Sequence, residues 1–590
     1  MQKLIFLQIL TTLCMVVFTS TGQDREYSEI VTVNDYTYEI EVGGIGEPVN
    51  TSIIIENLGE TAVQDPRITV NGKYDWFDIA SMVREITAGY TTDEDKALAI
   101  WEWVHWKRFQ RSPEDYSSLN PVRNMNCYGY GICGHTAAWL KAMWIEAGLK
   151  ARVQEVWGHT ITEVYYNGGW HMLDGNVKVF YTARDNRTIA SLAELEKDGW
   201  LIERTIHPRD PWMRQDDPPG RNEEFVRYIV TTGDNYEEDG YDNEIAKPYN
   251  MSYRLKPGET LIRWWDPVLQ KYEGRDKRPQ VPERYANGQL IWEPDLKKVD
   301  ILDYLNVIEN ITTTHRDQVE PAIHIATLQD DNYTRASRFM IPVNSAYPVV
   351  GGKMWCTLRK DAGASISLFY GTPQHGSGNL YTYRWGNGTE DVELYLDNLL
   401  LGDECPFSYN IGVTAAGNRR NNQHAQAGLE KFRLVSDLQV SPHSLPALSP
   451  GKNIIRYRDS SPGTGKQVRI THKWQENNGN RPPEIVSQAV TSGEVATLTP
   501  TLQWNPAVDK DKNDKVVDYQ VMVSLCEDCR WPLSMSLYRN VGSDKCEWKV
   551  LESFLNPGTT YYWKVRARDS HGAEGEWGKV FSFRTADNAK

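Results

Sequence analysis

Apolar residues along this chain change period in one place, and that change bounds the fold. Residues 23–80 and 321–475 alternate apolar and polar positions, as in "YTYEIEV", "ASISLFYG" and "VELYLDN". A period of two sends successive side chains to opposite faces, so these stretches read as antiparallel strands with one buried face. Residues 81–230 instead open with "TTDEDKALAIWEWVHWKRFQ" and "GHTAAWLKAMWIEAGLK", which carry apolar residues at helical spacing, followed by the strand-like "ARVQEVW", "HTITEVYY" and "WHMLDG". The expected fold class is a multidomain chain with an α+β core flanked by all-β sandwich domains. At 590 residues, ordinary domain sizes give about three to five domains.

The order along the chain follows from this pattern. Residues 23–80 form a strand-rich segment too short for a complete sandwich, and residues 81–230 form the core. Residues 231–320 form a mixed connecting region, in which "MSYRLKPGETLIRWWDP" reads as strand, Pro-Gly turn and strand. Residues 321–475 form a β-sandwich, and "SPGTGKQ" and "ENNGNRPP" mark a linker. Residues 482–587 carry "PTLQWNPAVD", "DYQVMVS" and "PGTTYYWKVRARDSHGAEGEWGKVFSFRT". This strand pattern with its landmark aromatics resembles a fibronectin type III module, which implies a seven-stranded sandwich serving as spacer or adhesive unit.

Lys3 followed by an apolar run from Leu4 to Phe18 and the small residues of "STGQ" predicts a signal peptide over residues 1–22. A secreted protein, periplasmic or extracellular, is expected, with no integral membrane segment once the leader is removed. The net charge of −15 argues against nucleic acid as a partner. Beyond Cys14, seven cysteines remain: Cys127, Cys133, Cys356, Cys405, Cys526, Cys529 and Cys546. In an oxidising compartment an odd number leaves one thiol over. Expected bridges are one among the last three and one between Cys356 and Cys405, with a Cys127–Cys133 bridge as the alternative to a free Cys133.

Cys133 falls at the start of a helical run, where backbone N–H groups and the helix dipole favour a thiolate. Gly131 and Gly134 are expected to keep the approach to the sulfur open. "HTITEVYYNGGWHMLDG" reads as strand, Asn167-Gly168 turn and strand. With Tyr166 opposite Gly169, alternation puts His159 and Asp174 on one face as diagonal neighbours. His171 points to the opposite face, and His135 lies around the helix from Cys133, so both are expected to be structural or surface residues.

These three stretches together resemble the core of the transglutaminase-like superfamily, which is papain-like in fold: a Cys at a helix start, a His opening a strand, and an Asp after a Gly-Trp hairpin. The resemblance covers about 100 of 590 residues and implies Cys133, His159 and Asp174 as a catalytic triad. An exported thiol hydrolase or acyltransferase is implied, acting at amide bonds through a thioester on a protein or peptide substrate. Triad chemistry calls for no metal and no cofactor. Tyr128, Tyr130 and the Cys133 backbone N–H are candidate oxyanion donors. The alternative readings take a glycan as partner. They are a glycan- or surface-binding protein with an inactive core, or a polysaccharide-processing enzyme (lyase or deglycosylating) using the same core. The 21 tryptophans motivate both. There is no His-Glu-x-x-His, Gly-x-Ser-x-Gly, P-loop or EF-hand pattern.

Overall fold

A computed structural model describes residues 23–110, 116–206, 229–230, 236–238, 240–272, 284–296, 299, 301–309, 311–313, 323–325, 337–371, 378–400, 405–416, 427–462, 465–484, 486 and 491–590. The expected signal peptide lies outside the described residues.

The segment that looked too short for a sandwich is completed from the far end of the chain. Strand Val468–Asn477 pairs antiparallel with Asp24–Val31 on one side and Gly46–Asn57 on the other. Gly451–Arg458 pairs with Asp35–Val42 and with Arg67–Val70. Residues 23–80 and 451–477 therefore form one body, which corrects the division into a separate N-terminal segment and a 321–475 sandwich.

The connecting region is corrected in the same way. Glu259–Trp264 inserts between Gly46–Asn57 and Gly288–Trp292, and Gly288–Trp292 pairs onward with Ala427–Leu438. Residues 231–320 thus supply the middle of a ten-stranded sheet. The expected Pro-Gly turn exists, with Gly258 at φ +74. Its two arms do not pair with each other, since Arg254–Leu255 pairs with Val63–Gln64. A hairpin signal gives the turn, but the partners of its arms depend on which apolar faces the rest of the chain offers. A second, five-stranded sheet (306–309, 337–344, 408–416, 365–371, 378–383) turns Phe339, Ile341, Ile411 and Val413 toward Met354, Leu358 and Leu434 of the long sheet. This is sandwich packing.

Between these strands sits the helical block: α1 (Ile79–Ile86), α2 (Asp93–Trp106), α3 (Pro121–Cys127) and α4 (Cys133–Glu146). The Thr92 side chain caps α2 by accepting from the Asp95 N–H at 3.1 Å, and three acids occupy the first turn. Gly148 (φ +86) ends α4. Its N–H donates to the Ile145 carbonyl, and the Leu149 N–H donates to the Trp144 carbonyl, a Schellman ending that needs left-handed backbone. The helices lie against a four-stranded antiparallel sheet ordered 169–172, 159–166, 150–156, 236–238. Its last strand again comes from the connecting region.

The C-terminal domain has seven described strands in two sheets around Trp504, Tyr519 and Trp563. It is docked on the helical block. Asp95, 7 % exposed, accepts from Arg530 Nε at 2.7 Å and from Trp531 Nε1 at 2.8 Å. Thr182 donates to the Leu533 carbonyl, and Arg204 to the Ser553 carbonyl.

All seven described cysteines are free thiols, which corrects the expected bridges. Cys127 donates to the Ala346 carbonyl at 3.6 Å, Cys529 to the Met522 carbonyl, and Cys546 to the Tyr519 hydroxyl. These three thiols are each taken up by their own neighbourhood.

Asp95→Ala is expected to cost about 2–3 kcal/mol, because Arg530, Trp531 and the Thr92 hydroxyl lose a buried carboxylate. A lower denaturant midpoint and faster proteolytic release of the C-terminal domain would register it.

Candidate active site

The hairpin forms with the expected register. Gly169 faces Tyr166, and Met172 faces Glu163. Asn167 and Gly168 have φ of 48° and 86°, the paired left-handed residues that a two-residue turn matched to strand twist requires. Beyond Met172 the Leu173 N–H still reaches the Thr162 carbonyl, and the chain then turns back at Asp174, whose N–H donates to the Val179 carbonyl at 2.9 Å.

His159 opens its strand directly after the Trp157-Gly158 turn, with Val156 opposite it. Its Nε2 and the Asp174 Oδ2 are 2.7 Å apart. Asp174 is 1 % exposed. Its other oxygen accepts from the backbone N–H groups of Asn176 and Val177 at 2.7 and 2.9 Å, and its carbonyl accepts from Trp101 Nε1. With one ring nitrogen bound to a fixed carboxylate, the other is left for the sulfur. His159 and Thr160 both lower the Cys133 thiol, and the Thr160 hydroxyl itself donates to Glu155 Oε2 at 2.8 Å.

The electrostatics follow from these contacts. Burial pushes the Cys133 thiol up, but hydrogen bonding and charge from His159, with Thr160, outweigh it and hold the thiol below its ordinary value. Burial likewise lowers His159. The Asp174 carboxylate and its hydrogen bond, then Cys133, reverse this and raise the imidazole to about 9. Both shifts act in favour of a thiolate–imidazolium pair over the neutral pair.

Cys133 is the first residue of α4, and Ile132 before it offers no side-chain cap. The first intrahelical bond comes from the Thr136 N–H to the Ile132 carbonyl, so the Cys133 and Gly134 N–H groups precede the helical ladder and face the sulfur end of the helix. Of the other oxyanion candidates, Tyr130 accepts from Gln439 Nε2 at 3.1 Å. Tyr128 is buried beneath Arg284.

The glycines act differently from the expectation. A Cβ on Gly134 would lie 2.6 Å from the Tyr241 hydroxyl, and one on Gly131 would lie 2.4 Å from the Trp139 ring. They admit close packing rather than an open approach. Tyr241 leads into a short helix that is tied to α4 by Lys141 Nζ on Asp242 Oδ1 at 2.6 Å. His171 turns its two ring nitrogens to the carbonyls of Ile189 and Tyr166, a structural role as expected.

Arg108 was not singled out in the sequence. It is 2 % exposed and donates to the carbonyls of Gly131 at 3.3 Å and Gly175 at 3.1 Å, and also to that of Asn176. One guanidinium thus ties the turn that orients Asp174 to the turn that presents Cys133. A basic residue two positions past a helix end gives no pattern to detect. Among the described residues, Asp509, Asp514 and Asp569 bring carboxylate oxygens within 4.8 Å of one another in the C-terminal domain. Asp514 and Asp569 are already bonded to Ser570, His571 and backbone N–H groups.

With this geometry in hand, the likenesses to known proteins can be read. Residues 80–175 match the transglutaminase-like superfamily model, and residues 487–587 match that of the Rha78A-like N-terminal immunoglobulin domain. The chain therefore carries a transglutaminase-like domain and an immunoglobulin-like domain at its C-terminus. No curated protein matches it. Among solved structures, TmCBM61 in complex with beta-1,4-galactotriose is 10% identical over 25% of this chain and 86% of that one, with a TM-score of 0.15. The beta-1,2-glucanase from Parabacteroides distasonis is 12% identical over 48% and 37%, with a TM-score of 0.13. The FN1–FN3 domains of chicken CNTN1 are 12% identical over 48% and 65%, with a TM-score of 0.15. Likenesses this weak carry no argument.

Iodoacetamide alkylation of Cys133, followed by peptide mapping, is expected to titrate with a midpoint below the ordinary thiol value. His159→Ala should move the midpoint up toward the ordinary thiol value of about 8.5. The His159 pKa is raised on folding, so its stabilising contribution is complete below the unfolded value of about 6.5. That contribution is lost as pH rises through about 9, and wild type should lose stability there relative to His159→Ala. Arg108→Met should slow alkylation and lower the melting temperature, because three carbonyl contacts lose their donor.

Proposed function

We propose that this chain is an exported thiol enzyme with a papain-like core that hydrolyses or transfers acyl groups at amide bonds. The observation that carries the reading is the pair in which Asp174 Oδ2 holds His159 Nε2 at 2.7 Å, with Cys133 on the first residue of α4 near enough for the two groups to shift each other.

The Cys133 thiolate attacks the amide carbonyl, and a carbon–sulfur bond forms as the carbonyl π pair moves onto oxygen. The N–H groups at the start of α4 stabilise that oxyanion. The tetrahedral species collapses, the C–N bond breaks, and His159 delivers its proton to the leaving amine. Asp174 keeps the imidazole in the tautomer and orientation that allow this, and stabilises its cation. The thioester left on Cys133 is resolved by water, which gives hydrolysis, or by an amine, which gives transfer. His159 takes a proton from the incoming nucleophile in either case. A peptide or protein amide is the substrate class. Export follows from the apolar run Leu4 to Phe18. The immunoglobulin-like domain, read more finely as fibronectin type III, is taken as a scaffold clamped to the core at Asp95.

Incubating the protein with a glutamine-containing peptide, with and without a primary amine, tests the reading. Mass spectrometry then reads deamidation, peptide cleavage and amine incorporation. Cys133→Ala is expected to abolish all three. Asp174→Asn should lower the rate by about 10²–10⁴-fold, with the imidazole in the wrong tautomer. Turnover that survives Cys133→Ala would sink the proposal.

A further inference from the structure

The register of the ten-stranded sheet lays out its outward face row by row. Tyr395, Lys353, Val435, Ile291, Thr260 and Glu56 stand opposite one another on successive strands. The next row is Glu393, Trp355 and Arg433, and the one after it is Asp391, Thr357 and Lys431. The residues between them, including Met354, Cys356, Leu394 and Leu434, point inward and are buried. Among the outward residues Tyr395, Trp355, Lys431 and Arg433 are exposed, while Val435, Ile291 and Thr357 are buried.

That face is hollowed in two adjoining places. One hollow of about 520 Å³ is lined by Trp355, Thr357, Asp391 and Lys431. The other, of about 340 Å³, is lined by Glu56, Gly258, Thr260 and Ile291. Glu293 and Arg433 line both and pair at 2.6 Å on the ridge between them. At the outer end Tyr395 is 69 % exposed and Trp355 37 %, with the Lys353 ammonium 4.4 and 4.6 Å from their ring centroids. Tyr395 to Glu56 spans five strand intervals, about 24 Å.

We propose that this face is a binding groove for a neutral polysaccharide, with Trp355 and Tyr395 as its stacking platform. Large aromatic rings held out to water on a sheet whose other face is fully buried mark a contact surface. Their flat faces match the C–H face of a sugar ring, and the hydroxyls around that ring match short polar side chains such as Thr357, Asp391 and Thr260. Charge selects against the other classes. Lys353 pairs with Glu393, Arg433 with Glu293, and Arg469 with Glu56, and Lys431 offsets one of the two further acids, Asp295 and Asp391, so the groove offers no cationic track to a polyanion and at most one uncompensated acid. Two hollows in line fit an extended chain of several sugar units rather than one small molecule. The groove uses none of the residues around Cys133 and does not rest on the amide-bond reading.

Native affinity electrophoresis of the full chain tests this, with hydroxyethylcellulose, arabinoxylan, galactan and glucomannan in the gel, and polygalacturonate and heparin as charged polymers. Retardation by at least one neutral polymer is expected. It should weaken at least tenfold in Trp355→Ala and in Tyr395→Ala, persist in Trp355→Phe, and be unchanged in Cys133→Ala. Unchanged melting temperatures of the surface variants would show that the fold is kept. No retardation by any of the four neutral polymers overturns the proposal. Retardation by the anionic polymers alone, or retardation undiminished in the Trp355→Ala/Tyr395→Ala double variant, does the same.

Discussion

Strand Val468–Asn477 lies between Asp24–Val31 and Gly46–Asn57, and the arrangement of the rest follows from that pairing. It joins segments more than 400 residues apart, so everything between them is enclosed in one closed chain path. Ile53, Ile55 and Ile470 are buried together. A distant stretch of chain also braces the site. Just past the long sheet, the Ser441 N–H donates to the Asn126 carbonyl, and the Ser441 side chain lies 2.6 Å from where a Cβ on Gly129 would stand. The turn leading to Cys133 is thus held by a residue more than 300 positions away. Such long-range closure costs loop entropy before any contact rewards it, and predicts slow folding relative to a chain of local contacts.

Inside that frame, the candidate site works by removing water. Asp174 and His159 are both buried, and an ion pair in such a place persists only when its remaining lone pairs are satisfied. Asn176 and Val177 donate to the second Asp174 oxygen. Arg108 fixes the backbone of the same turn from behind. This relay holds the thiol below its ordinary value, and a place on the first residue of a helix acts in the same direction.

Much of the local structure was legible. The Asn167-Gly168 turn is set by residues next to one another, so its physics is contained in the local sequence. The diagonal relation of His159 and Asp174 followed from that turn, because a two-residue loop sets the parity of every later position. Arg108 escaped notice because its three acceptors are backbone carbonyls from two distant turns, and carbonyls leave no mark in a sequence. The glycines were misread for a related reason. Gly134 is small to admit Tyr241 from the connecting region, a partner no local pattern reveals. Counting cysteines also misled, since an odd count says nothing about which thiols are close enough to bond.

The sequence by itself determined the elements, their caps and turns, and the three side chains that alternation and helix position could bring toward one another. These depend on short-range sterics and on periods of 2 and 3.6. The tertiary structure alone decided which strands share a sheet, that the connecting region supplies the middle of the long sheet and the edge of the core sheet, and that the C-terminal domain docks through Asp95. It also decided that Trp355 and Tyr395 face outward together across paired strands. Alternation says only that a strand has two faces. Which face meets water is settled by the competition of all apolar faces for partners, and that competition exists only once the whole chain is folded.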